Sequence, residues 1–259
     1  MQTTAHIKVK IKKKLTKGTL FEGNKTLKMV LPCLKEKDNN DNVIKEYLAY
    51  KMYEILSPFH FKTRLLDITL NESKGNRVKV HYLKGFFIED DKKVAKRSNG
   101  KVYKNINHPI NHEPVSSVRN AMFQCMIGNT DFSSAYQHNC KVIYVDTDII
   151  PVPYDFDMAG FVNASYAVAS QIQRESLNLS STSERLYRGF VRESDVFDQV
   201  RKEFLNKRSE ILALLDAHES YFENTRELSA AKEYILSFFM ILQNEDKFKK
   251  TIIEKARKG

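Results

Sequence analysis

The chain has no tryptophan, 9 glycines, 6 prolines and 3 cysteines in 259 residues. So little glycine and proline, beside 42% apolar residues, excludes a linker-like or wholly disordered sequence and leaves enough apolar mass for a packed core. Cys33, Cys125 and Cys140 are odd in number and show no CxxC spacing. That argues against a disulfide framework or a cysteine-based zinc site and fits reduced, buried thiols in a cytoplasmic setting. The longest apolar stretch, Tyr234 to Leu242, is interrupted by Ser237 and falls well short of the roughly 18 apolar residues a membrane span needs. Met1 to Lys17 lacks the apolar core of a signal peptide, because lysines interrupt it throughout. A cytoplasmic protein is therefore expected for the chain as given, with an export segment removed from upstream left open.

The charge is one-sided: 42 Lys and Arg against 32 Asp and Glu, a net +10. Such a balance invites a polyanion partner. Lys8, Lys10, Lys12, Lys13, Lys14 and Lys17 crowd one short segment, while the remaining basic residues are scattered among acids. Polyanion binding through Lys8 to Lys17 is one reading, but that distribution argues against nucleic acid as the main partner.

Periodicity divides the chain near Glu89. Ile7, Val9 and Ile11 alternate with lysines as in a strand with one wet face, and Leu27 to Leu31 forms a second strand after the Glu22-Gly23-Asn24 turn. The polar stretch Glu36 to Asn42 reads as a loop. Apolar residues at 43, 44, 47, 48, 52, 55 and 56 predict a helix over Val43 to Leu56, ended by Ser57-Pro58. Strands over Lys62 to Leu70 and Val78 to Ile88 follow, separated by the polar Asn71 to Asn76. Asp90 to His112 reads as a connector without periodicity. Val115 to Ile127 is a helix, Lys141 to Val145 a strand, and Ile149 to Asp157, with two prolines, a loop. From Ser194 the pattern is helical. The expected fold is α+β and two-lobed, with a small β-rich lobe over residues 1–89 carrying one helix and a larger, mainly helical lobe over 90–259.

Groups capable of chemistry concentrate in Gly128-Asn129-Thr130-Asp131, His138-Asn139 and Tyr154-Asp155-Phe156-Asp157. Singly, each Asp or Asn is an ordinary turn former. Together they bracket one short strand, which would bring Asn139 and Asp155 close enough to share a magnesium ion, a cation that takes one or two carboxylates beside substrate phosphates. Asp131 would then be free to orient a hydroxyl or accept its proton. His138 reads as a loop histidine with one local hydrogen bond. His108 and His112 lack the helix that would make them a metal pair, given Pro109 and Pro114. Arg185, Arg188 and Arg192 would share a face if helical, pairing with Glu184, Glu193 and Asp195 or binding an acidic substrate.

The order Asp131, Asn139, Asp155-Phe156-Asp157 resembles the atypical kinases, especially the spore-coat CotH kinases and more distantly the HipA-type and phosphatidylinositol kinases. The likeness extends upstream. Leu27-Lys28-Met29-Val30 followed by Glu46-Tyr47-Leu48-Ala49-Tyr50 resembles the CotH lysine strand and its helix, and Gly85-Phe86-Phe87-Ile88-Glu89-Asp90 resembles the strand leading into the second lobe. This resemblance implies a kinase-like fold, ATP and Mg2+ as cofactors, and transfer of a phosphoryl group to a hydroxyl, most readily on a protein. It assigns Asp131 to the catalytic position and Asn139, Asp155 and Asp157 to the metal. Lys28, with Glu46 as its helical partner and Glu89 at the end of the strand, falls to the nucleotide. Lys35 competes with Lys28. Gly160 to Ala167 falls where an activation segment would receive substrate.

The chain also departs from that pattern. Seven residues separate Asp131 from Asn139, against four in the protein-kinase catalytic loop. No GxGxxG loop is present; Gly18 and Gly23 flank Thr19-Leu20-Phe21-Glu22 instead. No His-Arg-Asp triplet precedes the catalytic position. These departures keep open a nucleotide-binding pseudokinase without turnover.

Overall fold

The computed structural model describes residues 5–24, 26–33, 39–164, 167, 181 and 184–258. Lys35 and part of the 160–167 segment, Ser165 and Tyr166, lie outside the described residues. The first sheet is antiparallel, in the order β1 (Ala5–Lys10), β2 (Thr26–Leu31), β4 (Arg77–Ile88), β3 (Thr63–Lys74). β3 and β4 pair along their whole lengths. The polar Asn71 to Asn76 does not separate them as a loop: both strands run on to a two-residue turn at Gly75-Asn76. Gly75, at φ +59°, supplies the positive φ that such hairpin turns require.

α1 (Asn39–Leu56) crosses between β2 and β3 in the chain and packs against β4 and against the later helix Ser194–Asp216. Residues 40–50 are all buried, so α1 is covered on every side rather than along one stripe. Its start lies within the stretch expected to be loop. Tyr47 and Tyr50 meet Phe86 of β4, which fixes the helix against the sheet.

The segment expected to be an irregular connector contains α2 (Asp91–Arg97) and β5 (Lys101–Tyr103). Asp90 starts α2 by accepting the Lys92 N–H at 3.0 Å. β5 joins β6 (Cys140–Val145) and β7 (Asp148–Pro153) in a second antiparallel sheet, in the order β5-β6-β7. The two prolines thus stand in a strand rather than a loop, and they are tolerated because β7 is an edge. α3 (Pro114–Met126) precedes that hairpin, with Pro114 at its first position and Glu113 accepting the N–H groups of Val115 and Ser116 at 2.8 and 2.6 Å.

From Ser194 onward the described chain is helical: α4 (Ser194–Asp216), α5 (Thr225–Gln243) and the short α6 (Glu245–Phe248). One continuous core runs from Val30, Ile44 and Phe86 through Phe123, Met126 and Phe156 to Phe204, Ile235 and Phe238. The architecture is α+β, β-rich toward the N-terminus and helical toward the C-terminus, in a coarse two-lobed arrangement. Among the described residues no helix is long and apolar enough to cross a membrane. Burial pushes the Cys125 and Cys140 thiols up to about 12.

Candidate active site

α3 ends at Gly128, whose φ of +64° turns the chain sharply. A Cβ there would stand 2.0 Å from the Tyr234 hydroxyl, so glycine is required on both grounds. Asn129 then accepts the Asp131 N–H on its side-chain oxygen at 2.9 Å, closing a small turn that presents Asp131. Ser133 and His138 pair across the following loop through backbone bonds of 2.9 and 3.0 Å.

That bridge offsets the long spacing between Asp131 and Asn139. The Asn139 amide nitrogen donates to the Asp131 backbone carbonyl at 2.7 Å and to its Oδ2 at 3.0 Å. His138 Nε2 lies 3.2 Å from Oδ1 of the same carboxylate, the local contact expected for it. Committing its nitrogen to Asp131 leaves the Asn139 side-chain carbonyl oxygen as its remaining donor atom for a cation. Asn139 also accepts the Tyr154 N–H on its backbone oxygen at 3.3 Å, so the Asp131 loop is tied to the end of β7, where the second carboxylate group begins.

Asp155 has φ +65°, an uncommon setting for a side-chain-bearing residue. Its N–H donates to the Tyr50 hydroxyl at 2.8 Å. Phe156 is fully buried, with its ring 4.6 Å from Tyr50 and 5.6 Å from Phe123. This anchor turns Asp155 and Asp157 toward Glu46 on α1. Glu46 is 1% exposed, and among the described residues neither of its carboxylate oxygens has a close hydrogen-bond partner, the Phe156 N–H exerting only a weak pull. Burial first, then the charges of Asp157 and Asp155, hold its carboxyl well above the usual range, against the pull of Lys28. The same burial, with Glu46 and Asp155 nearby, raises the Tyr50 phenol.

Lys28 and Glu46 do not form a direct ion pair. The Lys28 ammonium instead lies 5.4 Å from the centroid of the Tyr154 ring, and that of Lys141 lies 4.9 Å from the same centroid. Both line a cleft of about 400 Å³ between the two sheets, with Ile7 and Lys8 of β1, Phe61 and Ile88 among its other walls. Glu89 stands at the rim, its Oε2 held by Arg97 at 2.9 Å and by the Lys62 N–H at 3.0 Å.

The predicted residues thus fall into two adjoining groups, Asp131 with Asn139 and Asp155 with Asp157, Glu46 and Lys28, while Glu89 is occupied by its own partners. An all-oxygen set of Asn139, Asp155 and Asp157 suits magnesium in type. Among the described residues no three His, Cys, Asp or Glu side chains converge to hold a metal unaided, so an ion here would also need oxygens from its ligand.

The three arginines are not helical, and each donates to backbone carbonyls. Arg188 is buried and donates to the Thr130 carbonyl, directly beneath the Asp131 turn. Arg185 donates to Met126 O at 3.3 Å and stacks 3.7 Å over the Tyr234 ring. Arg192 donates to the carbonyls of Pro109, Ile110 and His112 at 2.7, 2.7 and 3.1 Å. Each holds backbone that lies some fifty to eighty positions earlier. No local pattern could have revealed that; nor did the sequence assign a role to Tyr50, Tyr154 or Lys141. Comparison with family models, with curated proteins and with solved structures finds no match to this chain.

Proposed function

We propose that the chain is an ATP- and magnesium-dependent phosphotransferase with a protein-kinase-like arrangement of its two lobes, acting on a hydroxyl and most readily on a protein. The observation that carries this reading is the backbone bond that ties the Asp131–Asn139 loop to Tyr154, immediately before Asp155-Phe156-Asp157, where Tyr154 and Lys28 line one cleft. The resemblance to the CotH and HipA-type kinases supports the same assignment. Asp131, steadied on both carboxylate oxygens, orients the acceptor hydroxyl and takes up its proton. Asn139 and Asp155 offer oxygens to magnesium, with Asp157 beside them, and Lys28 faces the nucleotide phosphates. Bound magnesium supplies neutralisation of the charge that phosphoryl transfer spreads over phosphate oxygens.

A second reading, nucleotide binding without turnover, is favoured by one observation: Lys28 is not paired with Glu46, as an active kinase requires of its lysine and helical glutamate. Thermal unfolding of the full chain with ATP, with and without magnesium, beside Asp155→Asn, tests both. At about 100 times Kd a ligand adds roughly 2.7 kcal/mol, which for a chain of this size raises Tm by about 5–10 °C. A magnesium-dependent rise that Asp155→Asn loses, with labelled product from γ-labelled ATP, supports the kinase. The same rise without product supports the second reading. No rise at saturating ATP sinks both.

A further inference from the structure

The cleft carries more positive charge than one phosphate-facing lysine explains. Lys8 on β1 stands directly opposite Lys28 on β2 in the strand register, and both line the cleft. Like charges in directly opposed strand positions destabilise a sheet. Lys141 enters from the other wall, on β6, and its ammonium and that of Lys28 flank one ring, Tyr154. Among the described residues none of the three is in an ion pair with a carboxylate. The cleft's three acids, Glu89, Asp90 and Asp91, stand together at the start of α2, where Glu89 is engaged by Arg97, Asp90 caps the helix and Asp91 lies in its first turn. The three lysines are thus gathered on one side of the cleft and its acids on the other, and a concave wall of one sign concentrates anions on the lysine side.

The chain also lacks the glycine-rich loop whose backbone N–H groups would otherwise cover a phosphate chain. We propose that Lys8 and Lys141, together with Lys28, form a polyphosphate-binding wall that replaces that loop. The cleft then recognises its ligand chiefly by phosphate charge, and inorganic tripolyphosphate binds in it without a base. This deepens the phosphotransferase reading and rests on it for the identity of the natural ligand.

Calorimetric titration of the full chain with ATP, adenosine and tripolyphosphate, each with magnesium, tests the wall in the parent and in Lys8→Gln, Lys141→Gln and Asp155→Asn. Melting curves check that each variant is folded; both lysines lie at the surface of the cleft, so folding is expected to survive. Loss of one charge-assisted contact weakens binding by roughly tenfold or more. The expected result is that Lys8→Gln and Lys141→Gln each weaken ATP and tripolyphosphate by about that factor. ATP bound as tightly by both lysine variants as by the parent overturns the wall. If Asp155→Asn nevertheless loses magnesium-dependent ATP binding, the phosphotransferase reading survives that failure. Lysine-dependent tripolyphosphate binding with ATP no tighter, and adenosine silent, upholds the wall while counting against a nucleotide as its ligand. Absence of binding by ATP and tripolyphosphate alike overturns both.

Discussion

Asp41 and Glu46 lie five positions apart on α1, and both are buried to within 1% of full enclosure. Asp41 accepts the backbone N–H groups of Glu223 and Asn224 at 2.8 and 3.0 Å, stitching α1 to the start of α5. Glu46 gains only a weak pull from the Phe156 N–H and faces two further carboxylates. One helix thus carries two carboxyls that burial raises, one whose desolvation is partly offset by two hydrogen bonds and another whose desolvation is barely offset. The first belongs to the architecture. The second is a burden on folding that the proposed site would account for, because a buried carboxyl so poorly compensated contributes nothing to stability.

The contrast breaks most visibly in activity. Asp131→Asn is expected to lower phosphoryl transfer by about a thousandfold, equivalent to about 4 kcal/mol of barrier, with Tm within a degree or two of the parent. Transfer assays beside calorimetry check it, and a variant that transfers at the parental rate removes Asp131 from the reaction. Next comes Asp41→Ala. It strands two buried N–H groups and is expected to cost about 3 kcal/mol in denaturant unfolding, without changing the magnesium dependence of ligand binding.

His112 extends the comparison to the opposite sign. It is 2% exposed and neither ring nitrogen has a protein partner. Burial, with the charge of Arg192 secondary, lowers its pKa from 6.5 to about 4. The unfolded chain therefore takes up a proton at higher pH than the folded one. The stability that depends on neutral His112 is complete above about pH 6.5 and is lost as pH falls toward 4, by up to about 3 kcal/mol. His112→Gln should flatten unfolding free energy across that window, and an unchanged slope would falsify the assignment.

A smaller gain is expected from Glu46→Gln. A carboxyl with a raised folded pKa weakens the fold as pH rises above about 4.5, where the unfolded chain ionises. The amide should therefore be more stable by about 1–2 kcal/mol at pH 7 and level with the parent at pH 4, while phosphoryl transfer drops. The smallest effect belongs to Lys45→Met. Lys45 is buried and pairs with Glu227 at 2.8 Å, and replacing such a pair member by an apolar side chain of similar length while its acid stays partly exposed should move stability by about 1 kcal/mol or less.

What the sequence revealed follows from how local each signal is. The helix near Val43 to Leu56, the alternation in β1 and the residue types of the candidate site are local, and they were legible. β7 was hidden because Pro151 and Pro153 signal a break unless one knows that the strand lies at an edge. α2 has seven residues, of which only Val94 and Ala95 are buried, too few to show a period. The Asp131–Asn139 contact needs the Ser133–His138 bridge, which no spacing rule anticipates. Arg185, Arg188 and Arg192 misled, since their three- and four-residue intervals mimic a helix face while their partners are distant carbonyls.

The Tyr50 hydroxyl, one turn along α1 from Glu46, receives the Asp155 N–H. It makes α1 a lever whose far arm is the acidic motif. A shift of α1 that breaks this bond frees Asp155 from its φ of +65°, and a ligand that fixes Asp155 must, by the reciprocity of linked equilibria, also fix α1. Through Asp41 the same helix is bolted to α5. Occupancy of the cleft should therefore be felt as slower amide exchange along the front of α5, far from any atom the ligand touches.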